Sequence, residues 1–370
     1  MSSLRKSLAN GLNNPPTNHR SVVVGFDGFV DEMITVVGER QALDRFTPVA
    51  RITDFAGLIG AAAGRSSLRE IVVNAVHPGG CAVNMGDGLA ALGIPVDCFA
   101  TLGEPPHPAF AETTARFRSV QSWGREPGRT LAYEFTDGKL MFSSVTQLAE
   151  FDVPAVTRYL ADGRYLTACR EAGVIALTDW SLYPHMTEVW RFLCREVYRQ
   201  LPQRTRFLID LVDPASRAAV DIEAMLAVLP SLQDCGEVCL SLNGNEANIL
   251  ARLLGLPVAN EQPEEALILG RSLQQRLGVA EVVIHFIRCA AAAGNSGEAA
   301  VCGPYCENPR KSTGAGDRFN AGYALGILLG ATPSERLALG CGTSGYFVRH
   351  GQSPDRAQLA EMLTSDNWPD

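Results

Sequence analysis

The chain of 370 residues carries 32 basic and 40 acidic side chains, a net charge of −8, with 46% apolar and 19% charged residues. That length can bury one large core or two ordinary ones, and with no Lys/Arg cluster the sequence argues against nucleic acid and anionic membrane as partners. No apolar run approaches the roughly eighteen residues of a membrane span; the first twenty residues are polar, Asn13-Asn14-Pro15-Pro16 interrupts any leader-like stretch, and the ten cysteines read as reduced core thiols of a cytoplasmic protein.

After a polar arm over residues 1–20, Ser21-Val22-Val23-Val24-Gly25-Phe26 is a β-branched run that predicts a buried first strand. Ligands gather at the carboxyl ends of parallel strands, so Asp27 and Asp31 are candidate contacts for a hydroxylated substrate. Turn chemistry accounts for Asp27-Gly28 equally well. Residues 41–70 read as one or two glycine-rich helices. His77-Pro78-Gly79-Gly80 then turns into a small-residue helix ending at Gly93, where Gly79 and Gly80 let the backbone approach a ligand and Asn84 points from the next turn. Residues 129–145 alternate around Asp137-Gly138, a hairpin that interrupts the α/β rhythm and reads as part of a lid.

The rhythm resumes with strands predicted at 173–179, 206–214, 239–242 and 281–287, and a helix over 184–201. Repeated strand-then-helix units imply a mostly parallel, doubly wound sheet. Asn243-Gly244-Asn245-Glu246 opens another helix, and a capping box explains that pair as well as ligand binding does. The spacings Cys235/Cys239 and Cys302/Cys306 suit zinc poorly. Lys311-Ser312-Thr313-Gly314-Ala315-Gly316-Asp317 leads into a buried helix, so free N–H groups and the positive dipole end suit a phosphoryl group while Asp317 stands within reach of a substrate hydroxyl.

Gly79-Gly80-Cys81-Ala82-Val83-Asn84, Asn243-Gly244-Asn245-Glu246 and Thr313-Gly314-Ala315-Gly316-Asp317, in that order and spacing, resemble the ribokinase, or PfkB, family of carbohydrate kinases over about residues 22–354. The resemblance implies a Rossmann-like αβα sandwich spanning 21–370 as a single domain, with a discontinuous β lid over about 29–45 and 120–147. It implies ATP as donor, magnesium, and a sugar hydroxymethyl group as acceptor. Asp317 would be the base and the N–H groups of Gly314, Ala315 and Gly316 the anion hole. Asp31, Gly79, Gly80 and Asn84, with Asp27 as a second candidate, would hold sugar hydroxyls. Asn243, Glu246 and Thr313 would serve the nucleotide phosphates, Glu246 also holding magnesium through water. A homodimer through the lid follows from the resemblance alone.

Two positions depart from the family pattern. His285-Phe286-Ile287-Arg288 stands where a Thr-x-Gly is usual, which opens ADP as a donor and makes Arg288 a candidate phosphate contact or a surface arginine. Arg318 follows the base and either meets a phosphate or pairs with an acid. Residues 342–351 resemble the segment bordering the nucleotide base. The competing readings are a nucleoside kinase, with Phe26 and Phe29 as an aromatic wall, and a catalytically silent binder of the same fold.

Overall fold

Val22 and Val24 lie in one apolar core and Val23 in another, although they are consecutive on the strand Val22–Gly25. The same split divides Val174 and Ala176 from Ile175 and Leu177 on Val174–Thr178, and Leu208 from Phe207 and Ile209 on Arg206–Asp210. Strands apolar on both faces must be covered on both. The result is a three-layer αβα sandwich around a nine-stranded sheet, in a computed structural model that describes residues 2–13, 20–202 and 205–369.

In spatial order the sheet runs Gly297–Cys302, Cys289–Gly294, Glu281–His285, Glu237–Asn243, Arg206–Asp210, Val174–Thr178, Val22–Gly25, Val96–Ala100 and Ser119–Ser122. All neighbours pair in parallel except the two pairings made by Cys289–Gly294, which are antiparallel. One face is covered by Cys81–Ala91, Ala315–Leu328, Pro333–His350 and Arg356–Thr364, and the other by helices that include Met186–Glu196 and Pro263–Leu277.

The second sheet has five strands and a different character. Phe29–Arg40 pairs in parallel with Gly128–Phe135, which forms a hairpin with Gly138–Ser144, and on its other edge antiparallel with Ile71–Gly79; its C-terminal end pairs antiparallel with Phe46–Pro48. Within 41–70 the helical expectation is met only by Ile52–Gly60, and the strand Ile71–Gly79 replaces the expected lead-in to the His77-Pro78 turn. Its residues are exposed at most positions, so they lack the burial alternation by which a strand is recognised. Ser119–Ser122, expected near the start of the lid, pairs instead with Val96–Ala100 in the large sheet.

The opening segment also differs from a polar arm. Ser2–Asn13 is a helix whose Leu4, Leu8 and Leu12, spaced four apart, turn one face onto the core next to Arg356–Thr364. Asn14, Pro15 and Pro16 lie outside the described residues.

Candidate active site

Gly314 adopts a left-handed conformation (φ 87°), and the chain turns there into the helix Ala315–Leu328. A Cβ at this position would stand 2.7 Å from an Arg318 guanidinium nitrogen, so conformation and space both call for glycine. Ala315, expected to aim its N–H outward, donates to the Ser312 carbonyl at 3.1 Å. Among the described residues the N–H groups of Gly314, Gly316 and Asp317 have no bonded acceptor, and these three form the N-terminal donor set. Asp317 is only 7% exposed. Burial, helped by the charge of Asp210, pushes its carboxyl up to about 7 against the pull of Arg318.

Asp317 belongs to a group of acids at the carboxyl ends of the central strands. Asp210 accepts from the Val212 N–H at 3.0 Å and from Asn320 Nδ2 at 2.7 Å, yet burial raises its carboxyl to about 6. Asp179, at φ 55°, accepts from the Leu182 N–H at 3.0 Å; burial and then Asp27 raise it well above the usual carboxylate range. Neither was singled out in the sequence. The rule that drew attention to Asp27, acids just beyond parallel strands, applies equally to both.

Asp27 itself does not face a cleft. Its carboxylate accepts from the N–H groups of Cys81 and, at 2.9 Å, Ala82, and from the Thr178 hydroxyl at 2.5 Å. It therefore anchors the first turn of Cys81–Ala91. Gly80 (φ 94°) lies directly against it, since a Cβ there would be 2.9 Å from the Asp27 carbonyl oxygen.

Asp31 lines a cleft of about 720 Å³ between lid and sandwich, with His77, Asn84, Lys139, Lys311 and Thr313 among its walls. Burial raises the Asp31 carboxyl against the neighbouring Thr130 hydroxyl and the charges of Lys311, Lys139 and His77. Gly79 packs on that carboxylate so closely that a Cβ would be 2.5 Å from Oδ2. Asn84 Nδ2 would stand 3.5 Å from a Cβ at Gly314, so the Gly-Gly-x-x-x-Asn segment reaches both the lid acid and the late glycine turn. Lys311, Lys139 and His77 are among the cleft residues that sequence reasoning did not single out; Lys311 carried a signal, its place in the same segment as Asp317.

Asn243 and Glu246 form the capping box: Asn243 Oδ1 accepts from the Glu246 N–H at 3.0 Å, and the Asn243 N–H donates to Glu246 Oε2 at 2.9 Å. Glu246 is nevertheless buried beside like charges. Burial, then Asp210, Asp213 and Asp317, raise its carboxyl well above the ordinary range.

His285 ends its strand beneath the turn, its ring 4.7 Å from that of Phe319, and burial lowers its imidazole to about 4. It is a neutral wall there. Arg288, on the loop to Cys289–Gly294, is stacked at 3.6 Å on Tyr305 and lies 3.9 Å from Glu261. Arg318 pairs with Asp87 at 2.7 Å and donates to Ser353 at 3.1 Å, so it is committed to an acid. In the segment 342–351, Arg349 donates to the Pro304 and Tyr305 carbonyls at 3.0 and 2.6 Å, tying the late helix to the loop of Tyr305. Phe26 stacks on Trp123 at 5.4 Å, and Phe29 packs on Gly128 in the core, so neither offers a wall to a base.

Against known proteins, residues 5–366 match the family model described as prokaryotic ketohexokinase. A ketohexokinase of Haloferax volcanii is 30% identical over 345 residues, covering 91% of this chain and 89% of that one. Ribokinase of Arabidopsis thaliana, solved with ribose and ATP, superposes with a TM-score of 0.64 at 18% identity over 94% of this chain and all (100%) of that one. Phosphofructokinase-2 of Escherichia coli gives 0.64 at 13% identity over 94% and 98%. The two structural likenesses establish the ribokinase-like fold.

Proposed function

The chain belongs to the prokaryotic ketohexokinase family and is a carbohydrate kinase of the ribokinase type; from that premise we propose that it transfers a phosphoryl group from ATP to a hydroxyl of a ketohexose, with Asp317 as the base. The observation that carries this reading is a buried carboxylate, raised to about 7, in the first turn of a helix beside the free N–H groups of Gly314, Gly316 and Asp317. A base with a pKa near the working pH can take a hydroxyl proton and remain ionised for part of the population. The N–H groups of Gly314, Gly316 and Asp317 would receive the charge that develops on the transferring phosphoryl. Asp31 and Asn84 would orient the sugar, and closure of the second sheet over the cleft would exclude water.

The residues around Glu246 fit magnesium. They offer oxygen donors only, and a cation would relieve the mutual repulsion of Glu246, Asp210 and Asp317. Among the described residues no group of three or more His, Cys, Asp or Glu could hold a metal ion alone, so Glu246 and Asn243 would hold it through water. Bound there, magnesium would neutralise charge on the donor phosphates.

A nucleoside acceptor has lost its support, because Phe26 and Phe29 are core residues. Exposed Val73, Val76, Met141 and Phe142 on the lid favour a homodimer through that sheet; light scattering of Phe142→Glu against the parent would test it. For the main reading, the purified protein is assayed with ATP and with ADP against a panel of ketohexoses, aldohexoses and nucleosides. Turnover of ketohexoses with ATP is expected, falling at least about 10³-fold in Asp317→Asn. A near-parental rate in that variant would overturn the assignment.

A further inference from the structure

The chemistry described so far uses no thiol, yet two of the ten cysteines stand opposite each other at the edge of the large sheet. Cys289 opens the strand Cys289–Gly294 and Cys302 ends the edge strand Gly297–Cys302, and the two are direct partners in the antiparallel pairing. Opposed Cα atoms in such a ladder lie about 4.5–5.5 Å apart, inside the roughly 4.4–6.8 Å that a disulfide spans. Strand alternation then fixes the faces. Cys289 and Ala291 belong to one small apolar cluster on which Ala300, the partner of Ala291, packs, whereas Ala290, Ala292, Ala299 and Val301 face the larger core. Cys302, two residues beyond Ala300, therefore points to the same side as Cys289.

The two free thiols differ in access. Cys302 is exposed, and Cys289 is only 2% exposed. Burial raises the Cys289 thiol to about 12, so on its own it stays protonated and shielded from oxidants. Immediately outside the pair the Gly303 N–H donates to the Arg288 carbonyl at 2.7 Å, which holds the two strands together at the mouth of the hairpin. The spacing Cys302/Cys306 has no such support, because the intervening loop is tied to Arg349 through the Pro304 and Tyr305 carbonyls rather than laddered against the strand of Cys302.

We propose that Cys302 is a reversible oxidation site: a hydroperoxide oxidises its exposed thiol, and Cys289, opposite it in the hairpin, resolves the product as a cross-strand disulfide. In the first step the Cys302 sulfur attacks a peroxide oxygen, the O–O bond breaks, and a sulfenic acid forms with release of water. In the second the Cys289 sulfur attacks the Cys302 sulfur, the S–S bond forms, the S–O bond breaks, and the hydroxide leaves as water with the Cys289 proton. Two thiols and one hydrogen peroxide thus give one disulfide and two waters, and a thiol reductant restores the pair. The consequence is protective, since a sulfenic acid without a resolving partner goes on to irreversible sulfinic and sulfonic acids.

The test treats the reduced protein with hydrogen peroxide, titrates its thiols and maps them by mass spectrometry after cleavage behind Arg and Glu, which separates residues 289–298 from 299–307. The expected result is the loss of two thiols from ten and a covalent link between those two fragments that a reductant releases. The link should persist in Cys306→Ser and vanish in Cys302→Ser. In Cys289→Ala, which extends a run of alanines and so disturbs the strand little, Cys302 should accumulate as sulfinic and sulfonic acids at a peroxide dose that leaves the parent as disulfide. An unchanged thiol count would overturn the proposal, as would a bond from Cys302 to Cys306 or to a second chain, or a Cys302 equally protected in Cys289→Ala.

Discussion

The two ends of the same parallel strands treat their acids in opposite ways. At the amino ends each carboxylate has a cation: Glu281 takes Arg336 at 2.8 Å, Glu237 takes Arg206 at 2.8 Å, and Asp97 accepts from Arg118 Nε at 2.9 Å. At the carboxyl ends Asp27, Asp179, Asp210, Glu246 and Asp317 are buried, and each is pushed above the ordinary carboxylate range by burial. One end contributes to stability; the other opposes it and supplies groups that can exchange protons near neutral pH. The contrast sets the carboxyl ends apart independently of any motif.

Asp317→Asn should separate the ends most sharply. It is expected to lower kcat at least about 10³-fold while leaving the thermal midpoint at pH 8 unchanged or higher, because it removes a buried charge among like charges. A lower midpoint would mean that the carboxylate has a structural role. At the opposite end, Arg336 is 2% exposed and also donates to Ser296 at 2.6 Å. Arg336→Met strands Glu281 as a buried charge, and chemical denaturation should show a loss of about 3–5 kcal/mol with kcat retained in the folded fraction.

A smaller effect is expected from pH alone. Asp210 and Asp317, with carboxyls at about 6 and about 7, hold protons in the folded state that the unfolded chain has already released. The stability they contribute is therefore complete below the unfolded range near 4 and lost as the pH rises through 6 and 7. Calorimetry should find the midpoint lower by a few degrees at pH 8 than at pH 5.5, and Asp317→Asn should flatten that dependence; an upward trend would contradict it. Smallest of all, Glu237→Gln breaks a surface pair at the amino end, and its cost should stay below about 1 kcal/mol.

Much of this was legible in the sequence. The late glycine turn, Gly79 to Asn84 and the pair Asn243 with Glu246 are local patterns whose spacing can be read without knowledge of the fold. Asp27 was harder, because the partners that define its role, Cys81, Ala82 and Thr178, come from two other elements. Ala315 was misjudged for a subtler reason: an internal turn bond to Ser312 takes the N–H that the motif alone would leave open. The strand Ile71–Gly79 was missed because a sheet edge facing solvent has no buried face to pattern its sequence.

The wiring of the second sheet also bears on how the protein folds. Phe29 lies opposite both Gly79 and Gly128, so the sheet cannot be assembled from neighbouring segments, and the helix Cys81–Ala91 and the strand Val96–Ala100 lie between the pieces in the chain. Closing such loops costs entropy before any contact repays it. The sandwich should therefore form first and the sheet over the cleft last, and in hydrogen exchange the amides of Ile71–Gly79 and Gly138–Ser144 should open long before those of Val174–Thr178.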